Sequence, residues 1–147
     1  MIQEERPSEI WDEILPMLHA HYEEVGHYKD IPLDPDKSVY LAMEEAGAIK
    51  VYTVREEGKL IGYAAYFIRK HPHHKDSLQA SQDIIYVDPK HRGGVGKRLI
   101  KECDERLREL GVQVVYSHLK AKHNFGPMLE RMGYELQDLI YSRRLDL

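Results

Sequence analysis

The chain has 147 residues, of which 42% are hydrophobic and 31% charged, a balance typical of one globular domain (residues 1–147) that can bury a core. Its single cysteine, Cys103, excludes an internal disulfide and a cysteine zinc site, and predicts a reducing, cytoplasmic compartment. The longest apolar run, Leu60–Ile68, is too short to span a membrane, and residues 1–7 lack the basic and apolar regions of a signal peptide.

Charge is distributed unevenly along the chain. The net charge of −4 argues against general nucleic-acid binding. Residues 1–60 carry 6 Lys or Arg against 14 Asp or Glu, a net −8, whereas residues 61–147 carry 15 against 11, a net +4. The first part could receive a cationic ligand and the second an anionic one, although a solvated surface explains most of these charges equally well.

Two helices are predicted near the start of the chain. The first begins at residue 8 or 9, where apolar residues begin to recur every four positions, and Pro16 is expected to kink or divide it. The second runs over about residues 36–45 and stops before Gly47.

Three strands are predicted next, at Ala48–Arg55, Leu60–Arg69 and Ser77–Val87. The first two form a hairpin around Gly58, and a polar loop, His71–Asp76, precedes the third. Three histidines in that loop suggest a metal site, but neighbouring residues rarely converge on one centre, so a solvated loop without metal is the preferred interpretation.

The second half of the chain alternates helices with strands. We predict a helix over about Gly94–Leu110, a short apolar strand at Val112–Ser117 and a helix near Gly126–Met132. Residues 134–139 and 140–145 are predicted to form a closing strand pair. This order predicts a mixed α/β domain with a parallel step across the long helix.

The stretch "YVDPKHRGGVGKRLI", residues 86–100, places three glycines in four positions between a strand and a helix. Unpaired N–H groups converge at a helix start, and the helix dipole favours an anion there. A phosphate-bearing ligand is predicted, and the alternative, a plain turn with basic surface residues, leaves so many glycines unexplained. The P-loop and dinucleotide motifs do not fit, because His91 and Leu99 stand where each needs glycine.

Three segments resemble the GNAT superfamily of N-acetyltransferases. His91–Gly96 resembles its motif A, Gln/Arg-x-x-Gly-x-Gly/Ala, with His91 in place of the usual Gln or Arg and one residue fewer than the loop of many members. Ile84–Pro89 is similar to the strand before that motif, and Leu129–Tyr134 to the Tyr-Glu-Lys-Leu-Gly-Phe signature. Residues 71–134 also resemble small phage and prophage acetyltransferases.

The resemblance implies a mixed, mostly antiparallel sheet of six to seven strands flanked by about four helices, with Met1–Glu4 as the opening strand. It implies acetyl-CoA as cosubstrate, with the pyrophosphate on the amides of the glycine turn and the pantetheine along the preceding strand, where a backbone N–H would also meet the thioester carbonyl. The implied cofactor residues are Ile85, Tyr86, Val87, Arg92, Gly93, Gly94, Val95, Gly96, Lys97 and Arg98.

Two proton transfers then need side chains. An amine of pKa about 10.4 is almost entirely protonated at pH 7, so a base is needed. Asp83 is the first candidate for that base, because the family often carries a strand carboxylate there; a solvated acid is the alternative. His118 and His123 are further catalytic candidates, because histidine exchanges protons near neutral pH.

The departing thiolate lacks its usual partner in this sequence. Leu129 occupies the position of the family's tyrosine acid, which leaves the general acid open among four side chains and water. The four candidate acids are Tyr116, His118, His123 and Tyr141.

Aromatic and acidic residues in the helical first part of the chain could line a pocket for the acceptor amine. These residues are Trp11, Tyr22, Tyr28, Tyr40, Glu23, Glu24 and Glu44.

These features predict an acetyl-CoA-dependent N-acetyltransferase acting on a primary amine of a small molecule or a protein. Its expected partners are acetyl-CoA and the amine, without nucleic acid or membrane; a homodimer stays open. Two alternatives remain at this point. The missing tyrosine is compatible with a non-catalytic acyl-CoA-binding module, and the short glycine loop with an interaction protein on the same fold.

Overall fold

The computed structural model describes residues 1–147 as four α-helices and one five-stranded sheet. The strands are β1 (Ile2–Glu4), β2 (Ile49–Glu56), β3 (Lys59–His71), β4 (His74–Val87) and β5 (Val114–Tyr116). The helices are α1 (Pro7–Val25), α2 (Lys37–Glu45), α3 (Val95–Glu109) and α4 (Gly126–Arg131). Two short 3-10 turns occupy Pro89–His91 and Ala121–His123. None of the helices is long and apolar enough to cross a membrane.

The strands lie in the sheet in chain order, β1-β2-β3-β4-β5. The first four pair antiparallel, with α1 and α2 between β1 and β2 and tight turns joining β2 to β3 and β3 to β4. β5 instead pairs parallel to β4 over Gln79–Ser81 and Val114–Tyr116. Parallel neighbours need a crossover connection, and α3 supplies it. The predicted mixed sheet, the parallel step and the opening strand at the N-terminus are therefore confirmed.

Helices cover both faces of the sheet. α1 and α2 pack on one face, where Ile10 meets Ile49 and Tyr63. α3 packs on the other face, where Leu99 and Cys103 are fully buried. Side chains alternate between the two faces of a strand, which is why the apolar residues of β2 and β3 form two separate cores.

The expected number of six to seven strands is wrong, because the segment 134–147 contains no strand. Six of its large apolar residues are exposed, and an Arg144–Asp30 ion pair at 2.9 Å holds the segment against the connection between α1 and α2. Alternating apolar residues favour a strand only where another strand accepts their backbone hydrogen bonds, and no strand of the sheet pairs with this segment. The exposed side chains are Leu136, Leu139, Ile140, Tyr141, Leu145 and Leu147.

Two local predictions also change. Residues 71–76 are not a loop, because β3 runs to His71 and β4 begins at His74, so the strands are joined by a tight turn. Pro16 does not divide the first helix, and α1 continues through it to Val25. A proline in a helix removes one backbone hydrogen bond, and the packing of α1 on the sheet offsets that loss here.

Candidate functional site

The glycine turn between β4 and α3 has the backbone that its sequence predicts. Gly93 and Gly94 have φ values of 110° and 95°, which residues with a side chain rarely adopt, and Gly94 is the N-cap of α3. A Cβ added to Gly93, Gly94 or Gly96 would meet no atom within 4 Å. Packing therefore does not require these glycines, and they leave open space above the first turn of the helix.

Free backbone donors face this space. The first hydrogen bond of α3 runs from the Arg98 amide to the Gly94 carbonyl at 3.1 Å, which leaves the amides of Val95, Gly96 and Lys97 without an acceptor. The first turn of α3 contains no carboxylate, and no side chain caps the helix. Three free N–H groups at the positive end of a helix dipole form an anion site.

The three basic residues of the turn do not point the same way. Lys97 and Arg98 are exposed on α3 and belong to none of the ion pairs. The Arg92 guanidinium instead makes two hydrogen bonds to Glu24 of α1, at 2.8 and 2.7 Å, and Nε donates to the Val87 carbonyl at 2.9 Å. Arg92 thus lies on the α1 face of the sheet, opposite α3, and its hydrogen bonds keep the pKa of Glu24 below its ordinary value.

We expect Arg92 to tie α1 to β4 rather than to bind a phosphate. Glu24→Gln should then leave coenzyme A affinity unchanged within about threefold and lower the free energy of unfolding by about 0.5–1 kcal/mol, as for a partly exposed ion pair. Arg92→Gln should also leave coenzyme A affinity unchanged but lower stability somewhat more, because it removes the hydrogen bond to the Val87 carbonyl as well, and the double variant should add little to Arg92→Gln alone. Calorimetric titration and chemical denaturation measure these effects.

The matched control for this pair is Lys97→Gln, which should weaken coenzyme A binding but leave stability unchanged. Tighter coenzyme A binding by Glu24→Gln would show that Glu24 holds a phosphate ligand away from its site, and would contradict the expectation.

One edge of β4 is open beside the glycine turn. β5 pairs with β4 only up to Ser81, so residues 82–87 of β4 have no strand neighbour on that side. Backbone donors and acceptors along an unpaired edge can bind another extended chain. Ile85, Tyr86 and Val87 lie on this segment, next to the anion site.

Asp83 occupies a bulge at the start of the open edge. Ile84 pairs with Ala65 and Gln82 with Tyr66, so Asp83 has no partner on β3, and its side chain turns towards α2. There Tyr40 Oη donates a hydrogen bond of 2.8 Å to Asp83 Oδ2. Asp83 keeps solvent-exposed area, but nearby apolar groups desolvate the carboxyl and raise its pKa, an effect that the Tyr40 hydrogen bond opposes.

An apolar pocket opens at Asp83 between α1, α2 and the sheet, with a cavity volume of about 40 Å³. Trp11 and Tyr40 form one wall, with ring centroids 5.6 Å apart. A concave apolar site that contains a titratable group with a shifted pKa is the usual form of a binding site. The lining residues are Pro7, Ile10, Trp11, Ile14, Leu18, Tyr40, Ile49, Val51, Tyr63, Ala65, Asp83 and Ile84.

The remaining catalytic candidates are not among the residues that line the pocket beside Asp83. His118 is exposed just after β5, and its Nδ1 is 3.3 Å from the Gln82 carbonyl, where β5 separates from β4. His123 is exposed in the second 3-10 turn. Of the further acid candidates, Tyr116 lies on β5, whereas Tyr141 is 89% exposed in the C-terminal segment.

The acceptor candidates separate into two groups. Trp11 and Tyr40 line the pocket, whereas the hydroxyl of Tyr22 donates to the backbone of Tyr28 and Ile31. The hydroxyl of Tyr28 is 2.7 Å from Ser142 Oγ. These last two tyrosines therefore fix the connection after α1.

Sequence reasoning missed His21. Its ring is half-buried against Tyr86 of β4, with centroids 5.4 Å apart, and burial lowers its pKa. The helical spacing of Ile14 and Leu18 places His21 on the buried face of α1, so the same periodicity that predicted the helix could have found it.

Comparisons with known proteins add to this geometry. A family model described as the Acetyltransferase (GNAT) family matches residues 10–134, which is most of the chain. Comparison with curated protein sequences gives no match.

Solved structures are similar over nearly the whole chain. An aminoglycoside acetyltransferase from an uncultured soil metagenomic sample, in complex with sisomicin, has a TM-score of 0.75 at 17% identity, covering 99% of this chain and 95% of that one. A ribosomal-protein-alanine N-acetyltransferase from Brucella melitensis has a TM-score of 0.71 at 20% identity, with 99% of each chain covered. A predicted acetyltransferase with acetyl-CoA from Clostridium acetobutylicum has a TM-score of 0.75 at 13% identity, covering 99% and 96%. At these identities the likeness shows a shared fold.

Proposed function

The chain belongs to the GNAT family of acetyltransferases, whose acyl donor is acetyl-CoA, and from this premise we propose that it acetylates a primary amine with Asp83 as the base. The observation that carries the proposal is the group of three free amides at the start of α3, next to the open edge of β4. A structural neighbour with acetyl-CoA supports the choice of donor.

The residues of the turn fit the cosubstrate. The amides of Val95, Gly96 and Lys97 would hold the pyrophosphate, and the space above Gly93 and Gly94 would admit it without contact with a Cβ. Lys97 and Arg98 would add positive charge that no other residue neutralises. Acetyl-CoA, when bound, supplies an acetyl group activated as a thioester.

The open edge of β4 fits the pantetheine arm, which contains amide groups like those of a peptide. The backbone of Ile85, Tyr86 and Val87 would pair with these amides as it would with a strand. The acyl end would then lie near Asp83, at the far end of the open segment. A backbone N–H there would stabilise the carbonyl oxygen as it gains negative charge.

Asp83 would take the proton that the amine must lose. At pH 7 roughly one amine in a thousand or fewer is neutral, because its pKa is near 10.4. A carboxylate beside the charged amine attracts it and then accepts the proton, directly or through water. The neutral amine would add to the thioester carbon to form the new N–C bond, with negative charge on the carbonyl oxygen. The C–S bond would then break as the carbonyl re-forms, the nitrogen would lose its second proton, and the departing sulfur would take a proton to leave as a thiol.

The source of that proton does not have to be a tyrosine. Leu129 is 5% exposed in α4, so the usual position carries no acid. Two candidates lie beside the start of the open edge: His118, whose Nδ1 is 3.3 Å from the Gln82 carbonyl, and Tyr116, which pairs with Ser81. A thiolate is also a stable enough leaving group to be protonated by water, because a thiol pKa is near 8.5.

Coenzyme A should raise the melting temperature of the chain, since a ligand that binds only the folded state stabilises it, by about 2.7 kcal/mol at a hundred times its Kd. Acetyl-CoA with a panel of primary amines should then release thiol. Binding without turnover across the panel would favour the acyl-CoA-binding module. No shift with coenzyme A would favour the interaction protein.

A further inference from the structure

We propose that the pocket beside Asp83 is the acceptor subsite and that it selects a primary amine with one positive charge and a short aliphatic substituent. The proposal rests on the acetyl transfer proposed above. It places the amine nitrogen at Asp83 and the substituent between Trp11, Tyr40 and the sheet.

The pocket lies next to the strand edge along which the cosubstrate would bind. Asp83 belongs both to the pocket lining and to the strand whose open edge would carry the pantetheine. Because Asp83 sits at a bulge, its carboxyl faces the pocket while the backbone of β4 continues along the open edge. An amine at this carboxyl would therefore lie at the acyl end of the cosubstrate.

Charge limits the acceptor to a monocation. Asp83 is the only ionised group among the twelve lining residues, of which ten are hydrophobic. Two other carboxylates in the first half of the chain already form ion pairs, Glu24 with Arg92 and Glu44 with Arg6. A second ammonium group would meet apolar walls without a partner, which is costly.

Volume limits the substituent. The cavity of about 40 Å³ is far smaller than the roughly 150 Å³ of a cavity that binds benzene. A chain of roughly two to four carbon atoms fits, whereas an aromatic ring would require α1 to move. The walls offer dispersion contacts and burial of apolar surface, which favour an aliphatic group over a polar one.

The test compares methylamine, propylamine, isobutylamine, phenethylamine and the aminoglycoside sisomicin as acceptors. We expect kcat/KM to be highest for propylamine or isobutylamine, about tenfold or more above methylamine, as expected for burial of a few methylene groups. Phenethylamine and sisomicin should be poorer than isobutylamine. A peptide with N-terminal valine carries the same branched carbon chain on an α-amine, whose pKa is about 8. Its turnover relative to isobutylamine, compared at a pH where both amines are largely neutral, would show whether the natural source is a protein or a free amine.

Ala65→Val separates a binding pocket from a packing void. Ala65 lines the pocket, and two added methyl groups would occupy most of the cavity. The preference for isobutylamine over methylamine should fall about tenfold, while the melting temperature should stay the same or rise because a void is filled. Ala64→Val is the matched control, since Ala64 lies on the α3 face of the same strand and should leave the preference unchanged.

The outcomes separate the two proposals. If coenzyme A stabilises the chain but sisomicin is the best acceptor, or Ala65→Val leaves the preference unchanged, the subsite proposal is wrong and the acetyl transfer stands. If coenzyme A does not bind, the acetyl transfer itself fails. If Ala65→Val does not fold, Ile14→Ala replaces it as the test variant. Ile14→Ala should enlarge the pocket and shift the acceptor preference to amines with longer aliphatic chains.

Discussion

Gly96→Asp should weaken coenzyme A binding at least 100-fold without destabilising the folded chain. The new carboxylate would lie among the free amides, and two unit charges 4 Å apart interact by about 4 kcal/mol near a protein surface. Position 96 is in the first turn of α3, has an ordinary helical φ and has no atom within 4 Å of an added Cβ. An acidic side chain is favourable at such a helix start, and replacing glycine removes a backbone entropy cost.

The melting temperature without ligand should therefore stay the same or rise, while the shift caused by coenzyme A should disappear. Calorimetric titration gives the affinities. Gly96→Asn is the matched control, because it adds nearly the same volume without charge and should weaken binding less. Unchanged affinity in the aspartate variant would remove the pyrophosphate from the glycine turn.

Asp83→Asn should lower kcat by about 10²–10⁴-fold at pH 7, the usual contribution of a general base. Coenzyme A should bind as before, because the anion site lies at the other end of the open β4 edge. The defect should shrink at high pH, since a larger fraction of the amine is then already neutral. A constant ratio of wild-type to variant rates between pH 7 and pH 10 would exclude Asp83 as the base.

Replacement of Tyr40, the hydrogen-bond partner of Asp83, should shift the pH dependence of the reaction in a defined direction. The wild-type kcat/KM should rise with pH as the Asp83 carboxyl loses its proton. The Tyr40 hydrogen bond favours the ionised carboxylate and so lowers the pKa of Asp83, against the desolvation that raises it. Tyr40→Phe should therefore raise that pKa further and move the acid limb of the profile to higher pH. A shift to lower pH would contradict this account.

The two sites differ in how far the sequence could reveal them. The anion site is contiguous, because the three glycines and the three free amides lie within the five residues 93–97, so their chemistry could be inferred from the sequence. The base could be named as a strand carboxylate, but its partner Tyr40 is 43 residues away and only packing of α2 on the sheet brings them together. The apolar pocket likewise combines α1, α2 and three strands.

The orientation of the Arg92 side chain is a second feature that could not be inferred from the sequence. Its position in the motif suggests a phosphate ligand, yet it makes two hydrogen bonds to Glu24, which is 68 residues away. A long side chain in the turn between β4 and α3 can reach either face of the sheet, and the position of an opposite charge decides between them. No local pattern contains that information.

The sequence by itself determined the elements whose stability is local. These are the helices, the central strands and the glycine turn, because periodicity and backbone freedom act over a few neighbouring residues. Only the tertiary structure decided which strands find partners, which left residues 134–147 unpaired, and which face Arg92 and Asp83 take. Strand pairing and ion pairing depend on residues far apart in the chain, so packing fixes them.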